Sequence, residues 1–313
     1  MPGRKWPSHH GAETLTRGTC RDQTVRSLME RASCRSFLNR KVPARVIKTI
    51  LMAGTHAATG GNLQPYSIIK VTSASSKREL ADLCDQDFIA RAPVDLLFCI
   101  DWNRIRQWAQ IECAPFSATR SFRHFWISFQ DTVVCAQTVC TAADAMGLGS
   151  VYIGTVLECF RRLRTMFRLP RCVFPVVLVC LGYPRGTLHP RKKLSPEVIV
   201  HNNKYHRLKA RELKDAFNEK YSNLKVDITS GRLKTIYEVC AKVEGERFAK
   251  KCIERIRKTG YINAAQRYFG LHYRADIMPD NNDEFMTIME EYGFKWFQSH
   301  FLKKTQARQP RFS

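Results

Sequence analysis

Residues 147–155 read GLGSVYIGT: two spaced glycines, a short β-branched and aromatic run, then a third glycine and a threonine. The run predicts a strand over 150–155, and the leading glycines end a long helix predicted over 128–146. Downstream comes a basic helix carrying Arg161, Arg162, Arg164 and Arg168, then an apolar strand over 174–182, FPVVLVCLG. Upstream, YSIIKVT (66–72) and PVDLLFCID (93–101) read as strands. Helices are predicted over 24–32 and 43–57; in the second, Pro43 suits the first turn and Val46, Ile47, Ile50 and Leu51 form one stripe. Ser76 and Glu79 stand at capping-box spacing for a helix running toward Cys84. Taken alone, this strand–helix alternation predicts a doubly wound parallel sheet.

Composition limits the function classes. Apolar residues make up 44% of 313, enough for a substantial core. No apolar run approaches the roughly 20 residues that cross a bilayer. Lys and Arg number 51 against 28 Asp and Glu, a formal charge of +23. Such an excess fits a polyanionic partner, a phosphate-bearing ligand or an anionic surface. The cations are spread along the chain and not gathered on one reading element, which argues against nucleic acid as the partner. No two of the 12 cysteines stand at C-x-x-C spacing, and several lie inside apolar runs. They read as reduced, buried residues in a reducing, cytoplasmic setting, with no zinc site or disulfide framework.

Residues 1–22 read as a basic, disordered extension. Scarce acids leave an organellar presequence open, but the amphipathic Arg-rich helix it needs is not evident. Residues 23–205 carry the core elements, and 206–313 read as a helical region with alternating charges around a thin apolar stripe. A last helix is predicted over 283–297. Its aligned Phe285, Met289, Tyr292 and Trp296 call for a partner surface.

Neither G-x-G-x-x-G nor a P-loop follows the first strand, and G-x-S-x-G and H-E-x-x-H are missing too. Four other segments carry chemistry. Arg31, Ser33 and Arg35 alternate around Cys34, so extended backbone points two guanidiniums and a hydroxyl one way, a grip suited to a phosphomonoester. The alternative is a solvated basic strand. In ATGGNLQPY (58–66), adjacent Gly60 and Gly61 permit close backbone approach to a flat ligand, with Thr59 and Asn62 to hydrogen-bond its heteroatoms. An ordinary helix-ending turn explains the glycines but not NLQPY. Gly154 and Thr155 could offer backbone N–H groups to a ring edge, or simply end a buried strand. Arg191-Lys192-Lys193 follows Gly182-Tyr183-Pro184, and a solvated charge run is its plain reading.

In order and spacing together, these segments resemble the nitroreductase family, within it the NADPH-dependent nitroreductases and flavin reductases. The matching pieces are 31–37, 59–66, DQDFIARAP (85–93), 147–154, LGYP (181–184), 191–193 and VHNNKY (200–205). The likeness runs continuously over 25–205 and more loosely beyond.

The resemblance implies an α+β three-layer sandwich with a mixed, mostly antiparallel sheet, overruling the parallel one, and a helical C-terminal arm. It implies a homodimer with FMN at the subunit interface and NADPH or NADH as co-substrate. The cations beyond 206 favour NADPH. Arg31, Ser33, Cys34 and Arg35, with Arg191 and Lys193, would hold the phosphate and ribityl chain. Thr59, Gly61, Asn62 and Gln86 would meet the isoalloxazine, and Tyr152, Ile153, Gly154 and Thr155 would line one edge. The family's frequent His-Arg pair is Arg31-Ala32 here, and its Lys-Pro-Arg triplet is Arg191-Lys192-Lys193. No side chain need act as nucleophile or general base. The acceptors implied are nitroaromatics, quinones and free flavins. The rival readings are a basic nucleic-acid- or membrane-surface-binding protein, and a flavin enzyme of the same fold that dehalogenates, fragments flavin or dehydrogenates an azoline.

Overall fold

A computed structural model of the protein describes residues 23–296. The basic extension expected over 1–22 lies outside the described residues. The chain divides into two compact units. One holds the described residues up to Pro190 together with those from Thr287 on; the other is Arg191–Met286.

The first unit is built on four strands: β1 (Tyr66–Val71), β2 (Val94–Asp101), β3 (Gly149–Ile153) and β4 (Val173–Gly182), in the spatial order β1-β2-β4-β3. Every pairing is antiparallel, so the parallel sheet suggested by local alternation is wrong. Alternation reports which segments are strands but not which edges meet. The one parallel contact among the described residues is the isolated bridge Ser33↔Ser150 on the outer edge of β3. All residues of β2 and β4 are buried. Successive side chains on a strand point to opposite faces, so such a strand is covered on both sides. The helices supply two layers around the sheet, giving an α+β sandwich.

Those helices are α1 (Gln23–Glu30), α2 (Ala44–Thr55), α3 (Ala74–Cys84), α4 (Phe88–Arg91), α5 (Trp102–Ile111), α6 (Phe122–Ala145) and α7 (Phe160–Met166). The 24-residue α6 touches all four strands and α2 packs along it. It begins six residues before the expected start, where the Ser121 hydroxyl accepts the His124 N–H. Ser73, not Ser76, caps α3, and Ser76 is the residue whose N–H it receives. α5 was not legible, because WNRIRQWAQI buries only Trp102 and Ala109. The strand expected to reach Thr155 stops at Ile153, and Thr155 opens a 3₁₀ turn.

Beneath the sheet, Lys77 of α3 places its ammonium 3.1 Å from the fully buried carboxylate of Asp95 on β2, and donates to the Ala92 carbonyl. Burial pushes the Asp95 carboxyl up to about 6 even with this cation beside it.

The second unit comprises α8 (Pro196–Ile199), α9 (Ala210–Lys220), α10 (Ser230–Glu244), α11 (Glu246–Thr259) and α12 (Ala264–Arg267), the last running into a π-turn over Tyr268–His272. Ile236, Ile253, Ile256 and Ile262 form its own small core. The chain leaves through α13 (Asn282–Glu291). The apolar stripe expected to seek a partner instead closes the first unit's own core. Met289, Tyr292 and Phe294 are buried there, and the Tyr292 hydroxyl donates to the Phe160 carbonyl at 2.6 Å. Only Phe285 of the expected stripe stays exposed.

Candidate functional site

The arginine segment lies along β3 because one glycine lets it. A Cβ on Gly149 would stand 2.6 Å from Cys34 Cβ, so the two backbones meet where only hydrogen fits. The Cys34 N–H then donates to the Ser150 carbonyl at 2.9 Å. Alternation follows: Cys34 is buried, while Ser33 and Arg35 face solvent. The Cys34 thiol donates to the Ser36 carbonyl, and burial pushes it up. Its side chain belongs to the core, so any contact it makes with a ligand is through backbone. Ile153 is likewise buried, and Gly154 beside it is open, with nothing near the position a Cβ would take.

Arg31 is held differently from Arg35. Its guanidinium stands 3.4 Å from Asp144 and donates to the Ser150 hydroxyl at 3.0 Å. It also lies over the Tyr152 ring, 5.8 Å from the centroid. Tyr152 in turn donates to Gln137 of α6. Burial pushes the Asp144 carboxyl up to about 6 despite the arginine beside it. Arg31 therefore spends much of its charge on its own chain. Among the described residues no carboxylate pairs with Arg35.

Gln86 follows the left-handed Asp85 at the end of α3, and its amide donates to the Thr155 hydroxyl at 3.0 Å. Two segments 69 residues apart thus meet at the end of β3, next to open Gly154. Nothing in the local sequence showed this pairing.

The glycine-rich loop stands elsewhere. Gly61, Asn62 and Gln64 all take left-handed backbone (φ 61°, 55° and 50°), a dense run of conformations that favour glycine or asparagine. The Gly60 N–H donates to both Asp131 carboxylate oxygens at 3.1 and 3.2 Å, and the Gln64 N–H to the Thr59 hydroxyl. Gln64 also ties the loop to Thr55 and Tyr66. The loop is thus pinned to Asp131 of α6, while Arg31 is pinned to Asp144. At 1.5 Å per residue those anchors are about 20 Å apart along the helix. The loop also leads into β1, at the opposite edge of the sheet from β3, three strand spacings or about 14 Å away. One chain brings Ser33, Arg35, Tyr152, Gly154, Thr155 and Gln86 to one edge and leaves Thr59, Gly61 and Asn62 at another. Arg191 and Lys193 are exposed residues of the second unit.

The family model described as "Nitroreductase family" matches residues 28–183. An NADPH-dependent oxidoreductase of Staphylococcus aureus is 30% identical over 181 residues, covering 56% of this chain and 70% of its own length. The chain belongs to the nitroreductase family. It is accordingly an oxidoreductase. An FMN reductase (NADPH) of Bacillus subtilis is 28% identical over 186 residues, covering 59% of this chain and 75% of that one. Among solved structures, the NADPH:FMN oxidoreductase from Vibrio harveyi complexed with NAD+ superimposes with a TM-score of 0.60 at 26% identity. That match covers 76% of this nitroreductase and 98% of the Vibrio chain. No helix among its described residues is long and apolar enough to cross a membrane.

Proposed function

We propose that this nitroreductase is a homodimeric FMN enzyme that oxidises NADPH or NADH and reduces a flat electrophile, a nitroaromatic, quinone or free flavin, by a ping-pong sequence. The observation that carries it is the β3 edge. A free cation (Arg35), a hydroxyl (Ser33), a side-chain amide (Gln86) and an open glycine (Gly154) converge on one solvent-facing rim. These donors fit a phosphorylated heteroaromatic: charge-assisted bonds for the phosphate, an amide and backbone for the ring edge.

FMN, when bound, supplies two-electron hydride chemistry. The residues of the chain bind and orient. Ser33 and Arg35 hold the phosphate, with Arg191 and Lys193 proposed as further cations. Gln86, fixed by Thr155, presents its amide to the ring, and Gly154 leaves room for a stacked partner. Tyr152, locked by Arg31 and Gln137, forms the wall at the rim. The eleven free cysteines among the described residues, most of them buried, support a reducing, cytoplasmic setting. Purified protein is expected to be yellow and to release FMN on denaturation. Initial rates against NADPH at several acceptor concentrations should give parallel double-reciprocal lines. Colourless protein that takes up no added FMN would overturn the proposal.

The separation of the Thr59–Asn62 loop from Arg35 supports a second copy as the source of the loop. The two clusters stand at opposite edges of the sheet, so a loop supplied by the partner brings them to one FMN more readily than the loop of the same chain. Exposed apolar side chains on α1 and α6, Leu28, Met29, Trp126 and Val134, offer a face for that copy. Arg35→Ala and Asn62→Ala are then each expected to be nearly inactive alone. Dissociated and reassociated together, random pairing restores one intact site in half the dimers, about a quarter of wild-type activity. Failure to regain activity in proven hybrids excludes a shared site.

A further inference from the structure

The second unit contains a cleft of about 820 Å³ that the flavin reading does not use. α9 forms one wall with Leu213, Lys214, Phe217 and Asn218 on a single helical face, yet it buries no residue. Phe217 is 41% exposed, unusual for the apolar face of an amphipathic helix. The opposite wall is α12 and the π-turn after it.

The lining is aromatic. Phe217 stacks on Tyr221 at an interplanar angle of 13°, and Tyr268 on Tyr273 at 8°. Tyr221 and Tyr268 bridge the two pairs at 5.9 Å. The charges in the lining have one sign. Lys214, Lys225 and Arg255 line the cleft, and no carboxylate does. None of these three is paired with a carboxylate among the described residues. Lys225 instead sits over the Tyr261 ring, 5.1 Å from its centroid.

We infer that this cleft binds a nucleotide: a planar nucleobase on the aromatic platform, its phosphate between Lys214, Lys225 and Arg255. Stacking on aromatic side chains accepts any base face, and unpaired cations beside it select an anion over a neutral ring. A hydrophobic peptide would gain nothing from three unpaired cations. The site lies wholly within Arg191–Met286 and stands whether or not the flavin reading holds.

The test is calorimetric titration of the full-length, FMN-saturated protein with adenosine 5′-monophosphate, adenosine and inorganic phosphate. AMP should bind at least tenfold more tightly than either fragment, because only it engages both the platform and the cations. Lys225→Gln with Arg255→Gln, and separately Phe217→Ala, should each weaken AMP about tenfold. Flavin content and melting temperature should stay unchanged in both. All these side chains are solvent-facing, so the fold tolerates their loss. AMP binding no tighter than phosphate, or undiminished in both variants, overturns the inference.

Discussion

Gly149→Val is expected to strip the protein of its flavin. The substitution places a branched side chain where a Cβ alone would already stand 2.6 Å from Cys34 Cβ and 3.0 Å from its Sγ. Backbone φ is not the obstacle at this glycine; the neighbouring strand segment is. To relieve the overlap, Cys34 must move off β3, breaking its hydrogen bond to Ser150 and carrying Ser33 and Arg35 with it. Overpacking of this kind costs about 1–3 kcal/mol, so the fold survives. The ligand does not fare as well, since two displaced charge-assisted or hydroxyl contacts correspond to a loss of about a hundredfold or more in affinity. Fluorimetric FMN titration of the apoprotein measures this directly. Gly231→Ala is the control, having open space around it. Wild-type affinity in Gly149→Val would mean that the arginine segment takes no part in binding.

Lys77→Met should destabilise the protein by about 3–5 kcal/mol, because it leaves a fully buried carboxylate without its counter-charge. The carboxyl of Asp95 already sits near 6, and losing the ammonium pushes it higher still. The folded state of the variant then holds a proton that the unfolded state releases. Its stability should therefore fall as pH rises from about 4 through the raised value, the unfolded group titrating near 3.9. Lys77→Met with Asp95→Asn removes both charges and should recover most of the loss. Urea denaturation at pH 5 and pH 8 separates these cases. A single variant less than about 1 kcal/mol below wild type would show that water reaches Asp95.

How much was legible beforehand depended on range. The strands were, since FPVVLVCLG and PVDLLFCID are apolar enough to be covered on both faces. Their antiparallel pairing was not, because sheet order depends on contacts far apart in the chain; it came only through the family resemblance. Ser33 and Arg35 were legible from alternation around Cys34. The tether of Arg31 to Asp144 was not, because it joins residues on different elements that share no local pattern. The same holds for Gln86 on Thr155. The aromatic cleft was hidden because Leu213 and Phe217 resemble any thin amphipathic stripe; only the folded unit shows that they stay 44% and 41% exposed along a cleft. The stripe at the chain's end misled for the opposite reason: its covering surface was present, more than a hundred residues upstream.

That last feature bears on how the molecule comes to be made. Ile288, Met289, Tyr292 and Phe294 complete a core whose other buried members all lie at or before Leu181, with the whole of Arg191–Met286 translated in between. Until then Phe125, Phe160 and Phe174 lack their lid. A nascent chain stopped short of Thr287 should be a substrate for chaperones, and limited proteolysis of ribosome-bound chains arrested at successive lengths should show the sandwich becoming resistant only after residues 288–294 have emerged.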